Sequence, residues 1–268
     1  MESKVVFIGA GNMAEAIVSG MAAANFCAPE KIILTDIRPE RLAELEKEYG
    51  VSTSTDNNVV KNAEIVVLAV KPQVMTDVLK GIAPVLRKET LVISIAAGFS
   101  TEKIETLLGG KRRIVRVMPN TPALVGQGAS AIAAGANADE ADLEVTETIL
   151  GCVGLTVRVE EKEIDAVTAL SGSGPAYVFY LLEGMLAAAD KMGLDKETAR
   201  KLALKTVEGA ARLMEDSGEA PDALRAKVTS KGGTTEAAIR SMDEAGVKEA
   251  VVQALLAAQQ RSIELSNA

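Results

Sequence analysis

KVVFIGAGNMAEAIVSG, residues 4–20, runs an apolar strand directly into two glycines and then into a helix. Val5 to Ile8 carry no polar interruption, which suits a strand covered on both faces. Gly9, Gly11 and Ala14 follow as G-x-G-x-x-A. Each member of this spacing has a physical task. The first glycine makes the tight turn, the second lets the backbone approach a pyrophosphate, and the third, small residue lets helix and strand pack closely. Backbone N–H groups from Ala10 through Asn12, Met13 and Ala14 then face the anion at the helix start. The other reading is a tight turn whose glycines serve packing alone.

The pattern continues outward from this stretch. Strands are expected at 5–8, 31–35, 64–70, 91–95, 113–117, 129–135 and 155–159, with helices at 12–24, 39–49, 73–86 and 101–108. Alternation of this kind argues for βαβ units and a mostly parallel sheet. After about residue 160 the strand signal stops. One helix begins at Pro175 and ends before Gly193. Asp195 caps a second that stops at Gly218, Pro221 opens a short third, and two more cover 235–244 and 247–265. The expected fold is α/β, with an N-terminal Rossmann-type, mostly parallel sheet over 1–160 and an all-α dimerisation domain over 161–268. The helix GPAYVFYLLEGMLAAADKMG is apolar almost all round. Such a helix is buried on every side, in a large core or against another chain, so dimer contacts are expected here.

Composition narrows the chemistry. The 268 residues carry a net charge of −8 and no long basic run, which speaks against a nucleic-acid partner. No leader and no membrane-spanning stretch is evident, so a cytoplasmic protein is expected. Cys27 and Cys152 fit no metal or redox spacing and read as free thiols. There is no histidine. The usual general acid/base and the commonest metal ligand are therefore missing, which leaves carboxylates, lysines, hydroxyls, backbone N–H groups or a cofactor.

Several loops fall where strands of such a sheet end. Asp36 closes the second strand, where a carboxylate accepts from ribose hydroxyls and favours NADH. Arg38 and Arg41 follow it, where an arginine pairs with a 2′-phosphate and favours NADPH. The two signals conflict, and an ordinary charged helix start is the third reading. Ala69, Val70, Lys71 and Pro72 follow the next strand, and Ala97 the one after. Lys71 is either a phosphate or ribose ligand or a solvated lysine. In MPNTP, residues 118–122, two prolines stiffen a loop that presents Asn120 and Thr121 to the nicotinamide end or is simply a turn.

FIGAGNM, AVKP, SIAAG, MPNTPALV, DAVTALSGSGPAYVF and LRAKVTSKGGTTEAAIRSMD, in this order across nearly the whole chain, resemble the pyrroline-5-carboxylate reductases. The last block is the most specific. The resemblance implies hydride transfer from NADPH or NADH to the C=N bond of a cyclic imine carboxylate, giving L-proline. It also implies helical domains that interlock between two chains, with each active site at the dimer interface, and in many members a decamer built as a pentamer of dimers. By the same resemblance Ser230, Gly233, Thr234 and Thr235 hold the substrate carboxylate, the Thr235 hydroxyl faces the imine nitrogen, and Glu161 lies near the substrate. Read from residues alone, Gly232 and Gly233 form a helix C-cap followed by a threonine N-cap, and Glu161 belongs to a solvated acidic run. Lys231 departs from the family, where many members have proline, and Lys227 stands where many relatives carry a different polar residue near the cofactor. In SGSGPAY, residues 171–177, the glycines are expected to give a sharp break and close helix approach.

A protonated imine needs no strong acid from the enzyme, so the missing histidine suits an imine reductase better than an alcohol dehydrogenase. A β-hydroxyacid dehydrogenase also joins a Rossmann domain to a helical one, but relies on a lysine early in the helical part, absent from SGSGPAYVFYLLEGM. A non-catalytic NAD(P)H sensor is the third reading; it leaves GGTT without a purpose.

Overall fold

The computed structural model describes residues 4–266. The first part alternates in chain order: β1 (Val5–Ile8), α1 (Asn12–Ala23), β2 (Ile32–Thr35), α2 (Pro39–Tyr49), β3 (Ser52–Ser54), β4 (Ile65–Leu68), α3 (Pro72–Ile82), β5 (Leu91–Ser94), α4 (Thr101–Leu107), β6 (Arg113–Met118), β7 (Gly128–Ala134), α5 (Glu140–Gly151) and β8 (Gly154–Arg158). The strands form one sheet in the order β3-β2-β1-β4-β5-β6-β7-β8. All neighbours are parallel except β6 and β7. The chain winds from β1 towards β3, then returns to β4 and winds the other way. The crevice beyond the carboxyl ends of β1 and β4 is thus the switch point, where ligands of open α/β sheets bind.

Two cores lie on opposite faces of the sheet. Val5 and Phe7 join Ile17, Met21, Leu42, Leu45, Ile149 and Leu150 on one face. Val6 and Ile8 join Met75, Leu79, Ile82, Ile104 and Leu108 on the other. Both faces being covered explains the unbroken apolar strands. On the first face α1 meets the end of α5 at Gly20, where a Cβ would lie 2.5 Å from Val153 Cγ1 and 2.7 Å from the Cys152 carbonyl oxygen. We expect Gly20→Ala to destabilise the protein by about 1–3 kcal/mol through overpacking. Urea unfolding should show a lower midpoint with an unchanged slope; an unshifted midpoint would mean that the two helices can part without cost.

Two elements differ from expectation. β3 is an edge strand of polar, partly exposed residues, so no apolar pattern marks it. α5 buries Asp142 and Thr146 on its inner face, which breaks the apolar periodicity. Its start is nevertheless written locally, as a capping box between Asp139 and Asp142. Asp142 also accepts from Arg113 of β6.

After β8 a single-turn 3₁₀ segment, Glu161–Glu163, leads into α6 (Ile164–Val167) and a π-helical turn, Thr168–Gly172. Then come α7 (Gly174–Lys191), α8 (Lys196–Ser217), α9 (Pro221–Lys227), α10 (Thr234–Glu244) and α11 (Val247–Ser266). At SGSGPAY the chain bends at Ser173, between the π turn and α7. Backbone angles stay right-handed helical through Val167, Thr168 and Ser173, and neither Gly172 nor Gly174 has a positive φ.

The chain forms two compact units: one reaching Pro175 and taking in Ala258 onward, the other Ala176–Ala257. The division drawn at residue 160 on sequence thus falls inside the first unit. The physical reason is side-chain anchoring of the segment beyond it. Ile164 is fully buried, beside Met118, Ala131 and Ala133. Asp165 accepts from Ser262 Oγ at 2.6 Å, tying the end of α11 to the same unit. In the second unit α7 leaves Phe179 and Tyr180 exposed by 60% and 78%, so its apolar faces are uncovered within one chain.

Candidate functional site

β1 delivers the chain to the crevice at Gly9, whose φ of +99° lies where L-residues are strained. Its N–H donates to Thr35 O at 2.8 Å, and a Cβ there would lie 2.7 Å from Ala69 O at the end of β4. Conformation and packing therefore both account for Gly9. Gly11 differs. It has φ −76° and ψ 178°, open to any residue, and a Cβ would meet no heavy atom within 4 Å. Neither conformation nor packing inside the chain calls for glycine at 11. Gly11 is also the N-cap of α1 and supplies no side-chain cap, so the helix opens with uncapped N–H groups at Asn12, Met13 and Ala14. Ala14 is buried against the sheet, as the small third position requires. These residues fit a dinucleotide pyrophosphate.

Asp36 and Arg38, which conflict as sequence signals, are bonded to each other. Asp36 Oδ1 accepts from Arg38 N at 3.0 Å and Nε at 2.9 Å; Oδ2 accepts from Arg38 Nη2 at 3.1 Å and Ala10 N at 3.0 Å. The Arg38 guanidinium holds the Asp36 pKa at about 2, against the upward push of burial and with help from both backbone N–H groups. Ala10 N–H is thereby committed to Asp36. Arg41 Nε donates to Ala10 O at 3.2 Å, and its other nitrogens reach Glu15 and Glu44. Arg41 therefore braces the glycine loop between α1 and α2.

The remaining crevice residues divide. Ala69 and Val70 follow β4, with Ala69 N bonded to Ile8 O at 2.8 Å. Lys71 is the N-cap of α3, exposed and without an ion pair among the described residues; Pro72 is the first helical residue. Ala97 packs beside Met118 and Ile164. Asn120 is fixed through its side-chain amide. Its Oδ1 accepts from Ala129 N at 2.8 Å, and its Nδ2 donates to Ser171 O at 3.1 Å. The side chain thus ties the end of β6 to β7 and to the π turn.

Glu161 is also spent inside its own unit. Its carboxylate accepts from Thr101 N at 2.7 Å, Thr101 Oγ1 at 2.5 Å and Arg116 Nη1 at 3.3 Å. It binds the N-terminus of α4, where an anion is favoured, and faces an arginine only 3% exposed. Arg116 Nε and Nη2 are buried without another partner among the described residues, so Glu161 is the anion that the site provides. Glu161 is therefore not simply part of a solvated acidic run.

In the second unit, α9 ends before Ser230 and Lys231, and Gly232 turns the chain with φ +74°. Gly233 is the N-cap of α10 and carries no side-chain oxygen, so the threonine N-cap reading fails: Thr234 and Thr235 occupy the first turn. Gly233 N donates to Ser230 O at 3.0 Å. Glu236, not singled out from sequence, accepts from Gly232 N at 2.7 Å and sets the loop. A carboxylate four residues after a turn glycine was the available signal. The N–H groups of Thr234 and Thr235 have no cap. Lys227 pairs with Glu219, and exposed Lys231 has no ion pair among the described residues. No cluster of three or more potential metal ligands occurs among the described residues.

Comparison with known proteins places these features in a family. Residues 161–265 match the family model for pyrroline-5-carboxylate reductase dimerisation, and residues 4–98 match NADP oxidoreductase, coenzyme F420-dependent. A pyrroline-5-carboxylate reductase of Pseudomonas aeruginosa is 45% identical over 98% of this chain and 97% of its own length. A pyrroline-5-carboxylate reductase of Coxiella burnetii, of solved structure, superposes with a TM-score of 0.93 at 42% identity, covering 99% of both chains. The Plasmodium falciparum pyrroline carboxylate reductase, solved with NADP bound, gives 0.89 at 31% identity over 98% of both.

Proposed function

The chain belongs to the pyrroline-5-carboxylate reductases, and we propose that its glycine loop and the N-terminus of α10 divide the reaction between them. The activity is NAD(P)H-dependent reduction of 1-pyrroline-5-carboxylate to L-proline, the last step of proline biosynthesis. When bound, the nicotinamide supplies the hydride. The residues of this chain supply position and charge. The N–H groups of Asn12, Met13 and Ala14 hold the pyrophosphate, with Gly11 clearing its approach. Ser230 and the N–H groups around Gly233, Thr234 and Thr235 hold the substrate carboxylate, since a helix N-terminus favours an anion. The Thr235 hydroxyl meets the imine nitrogen. The imine arrives protonated, so hydride addition at carbon gives the neutral secondary amine of proline with no acid required from the protein. The absence of histidine is consistent with that economy.

The observation that carries the reading is Gly11: a glycine that neither backbone angles nor packing explains, at the switch point of a parallel sheet. The test is oxidation of NADH and of NADPH with pyrroline-5-carboxylate, run side by side. Turnover with neither would reject the reading and return the chain to a sensor role. For Thr235 we expect a sharper result. Thr235→Ala should lower kcat/KM for the imine by about tenfold to a hundredfold, the worth of a lost hydrogen bond of about 1–3 kcal/mol. Dinucleotide affinity should stay near wild type, and Thr235→Ser should keep most of the activity. Normal turnover in the alanine variant would remove Thr235 from the mechanism.

The dimerisation-family match and the exposed apolar residues of α7 support an oligomer. We place it as a homodimer, assembling further into a pentamer of dimers, in the cytoplasm. Among the described residues no helix is long and apolar enough to cross a membrane.

A further inference from the structure

Asp36 and Arg38 do not present two competing subsites. A carboxylate has about four acceptor positions. Those of Asp36 are filled by Ala10 N, Arg38 N, Arg38 Nε and Arg38 Nη2, all between 2.9 and 3.1 Å. A ribose 2′-hydroxyl can donate to Asp36 only by breaking this fork. Arg38 stands the other way round. A guanidinium has five N–H donors, and the Asp36 fork engages only its Nε and Nη2 nitrogens. Its Nη1 group remains, on a side chain 57% exposed, whereas the Asp36 side chain is 10% exposed. The other nearby arginine does not compete, because Arg41 is spent on Ala10 O, Glu15 and Glu44.

We propose that Arg38 sets the choice of dinucleotide: held on Asp36, it closes that carboxylate to a ribose 2′-hydroxyl and offers its outer N–H groups to a 2′-phosphate, so that NADPH binds in preference to NADH. The inference rests on the glycine loop being the dinucleotide site. Asp36 acts as a positioning residue. It fixes the planar fork before the ligand arrives, which reduces the ordering that binding must impose. It is also neutralised by the group it holds, so the phosphate does not face a bare carboxylate.

The experiment is titration calorimetry of NADPH, NADH, adenosine 2′,5′-bisphosphate and AMP with wild type, Arg38→Gln and Asp36→Asn. Wild type should favour NADPH by about tenfold or more, the worth of a charge-assisted hydrogen bond. The preference should shrink as salt is raised, because the subsite is exposed to solvent. Adenosine 2′,5′-bisphosphate should outbind AMP in the same way, isolating the subsite from the nicotinamide. Arg38→Gln should weaken NADPH by about ten- to a hundredfold and reverse the preference, because the Asp36 oxygens become available to the ribose. Asp36→Asn should still prefer NADPH. A wild type that favours NADH, or an Arg38→Gln ratio within about twofold of wild type, would overturn the assignment while imine reduction continued. Binding of neither dinucleotide, together with no turnover, would overturn the functional reading as well.

Discussion

Replacing Glu161 by alanine is expected to destabilise the protein by about 1–3 kcal/mol, because it leaves a buried guanidinium without its partly exposed anion. Arg116 sits in β6, 3% exposed, and among the described residues Glu161 is its one ion-pair partner. The variant leaves that guanidinium buried without its anion. It also strips Thr101 N and Oγ1, at the start of α4, of the acceptor they share. The measurement is urea unfolding with the midpoint read against wild type. Glu161→Gln keeps an acceptor for Thr101 but not the charge, so its loss should be smaller. A Glu161→Ala, Arg116→Met double variant removes the stranded charge and should recover much of the stability, since apolar replacement of a buried pair is often neutral or better. An unchanged midpoint in Glu161→Ala, joined to a raised KM for the imine, would return Glu161 to the substrate.

Gly11→Val is expected to weaken dinucleotide binding by about a hundredfold or more, roughly 2.7 kcal/mol, while the fold stays intact. The two halves of this prediction come from the same geometry. The backbone at 11 has φ −76° and ψ 178°, a region a valine adopts without strain, and the space around a Cβ there is clear of protein atoms. The side chain would therefore stand in the place where the pyrophosphate meets the helix start. Calorimetry with both dinucleotides reads the loss, and the unfolding midpoint reads the fold. Gly9→Val is the contrasting variant. It should fail by misfolding, because φ is +99° and Ala69 O is in the way. Wild-type affinity in folded Gly11→Val would show that the glycine loop holds no dinucleotide.

The amino-acid sequence by itself determined the order of elements, the parallel sheet and the place of the glycine loop. These follow from contiguous signals: four-residue apolar strands, prolines at 39, 72, 175 and 221, and glycines at turns, each acting on its own neighbours along the chain. The resemblance across LRAKVTSKGGTTEAAIRSMD directed attention to α10, and the capping glycine and first-turn threonines are local features too. Polar strand β3 and polar-faced helix α5 escaped, because periodicity reads burial only where buried residues are apolar. What tertiary structure alone decided was how the polar side chains were spent. Glu161 meets Thr101 and Arg116 across 60 and 45 residues, and Asn120 meets Ser171 across 51. Asp36 is committed to Ala10 across 26 residues. Whether a carboxylate or amide is open to a ligand depends on which donors folding brings to it, and those donors come from strands and helices far away in the chain. A side chain's chemical type is local information; its remaining free valence is not.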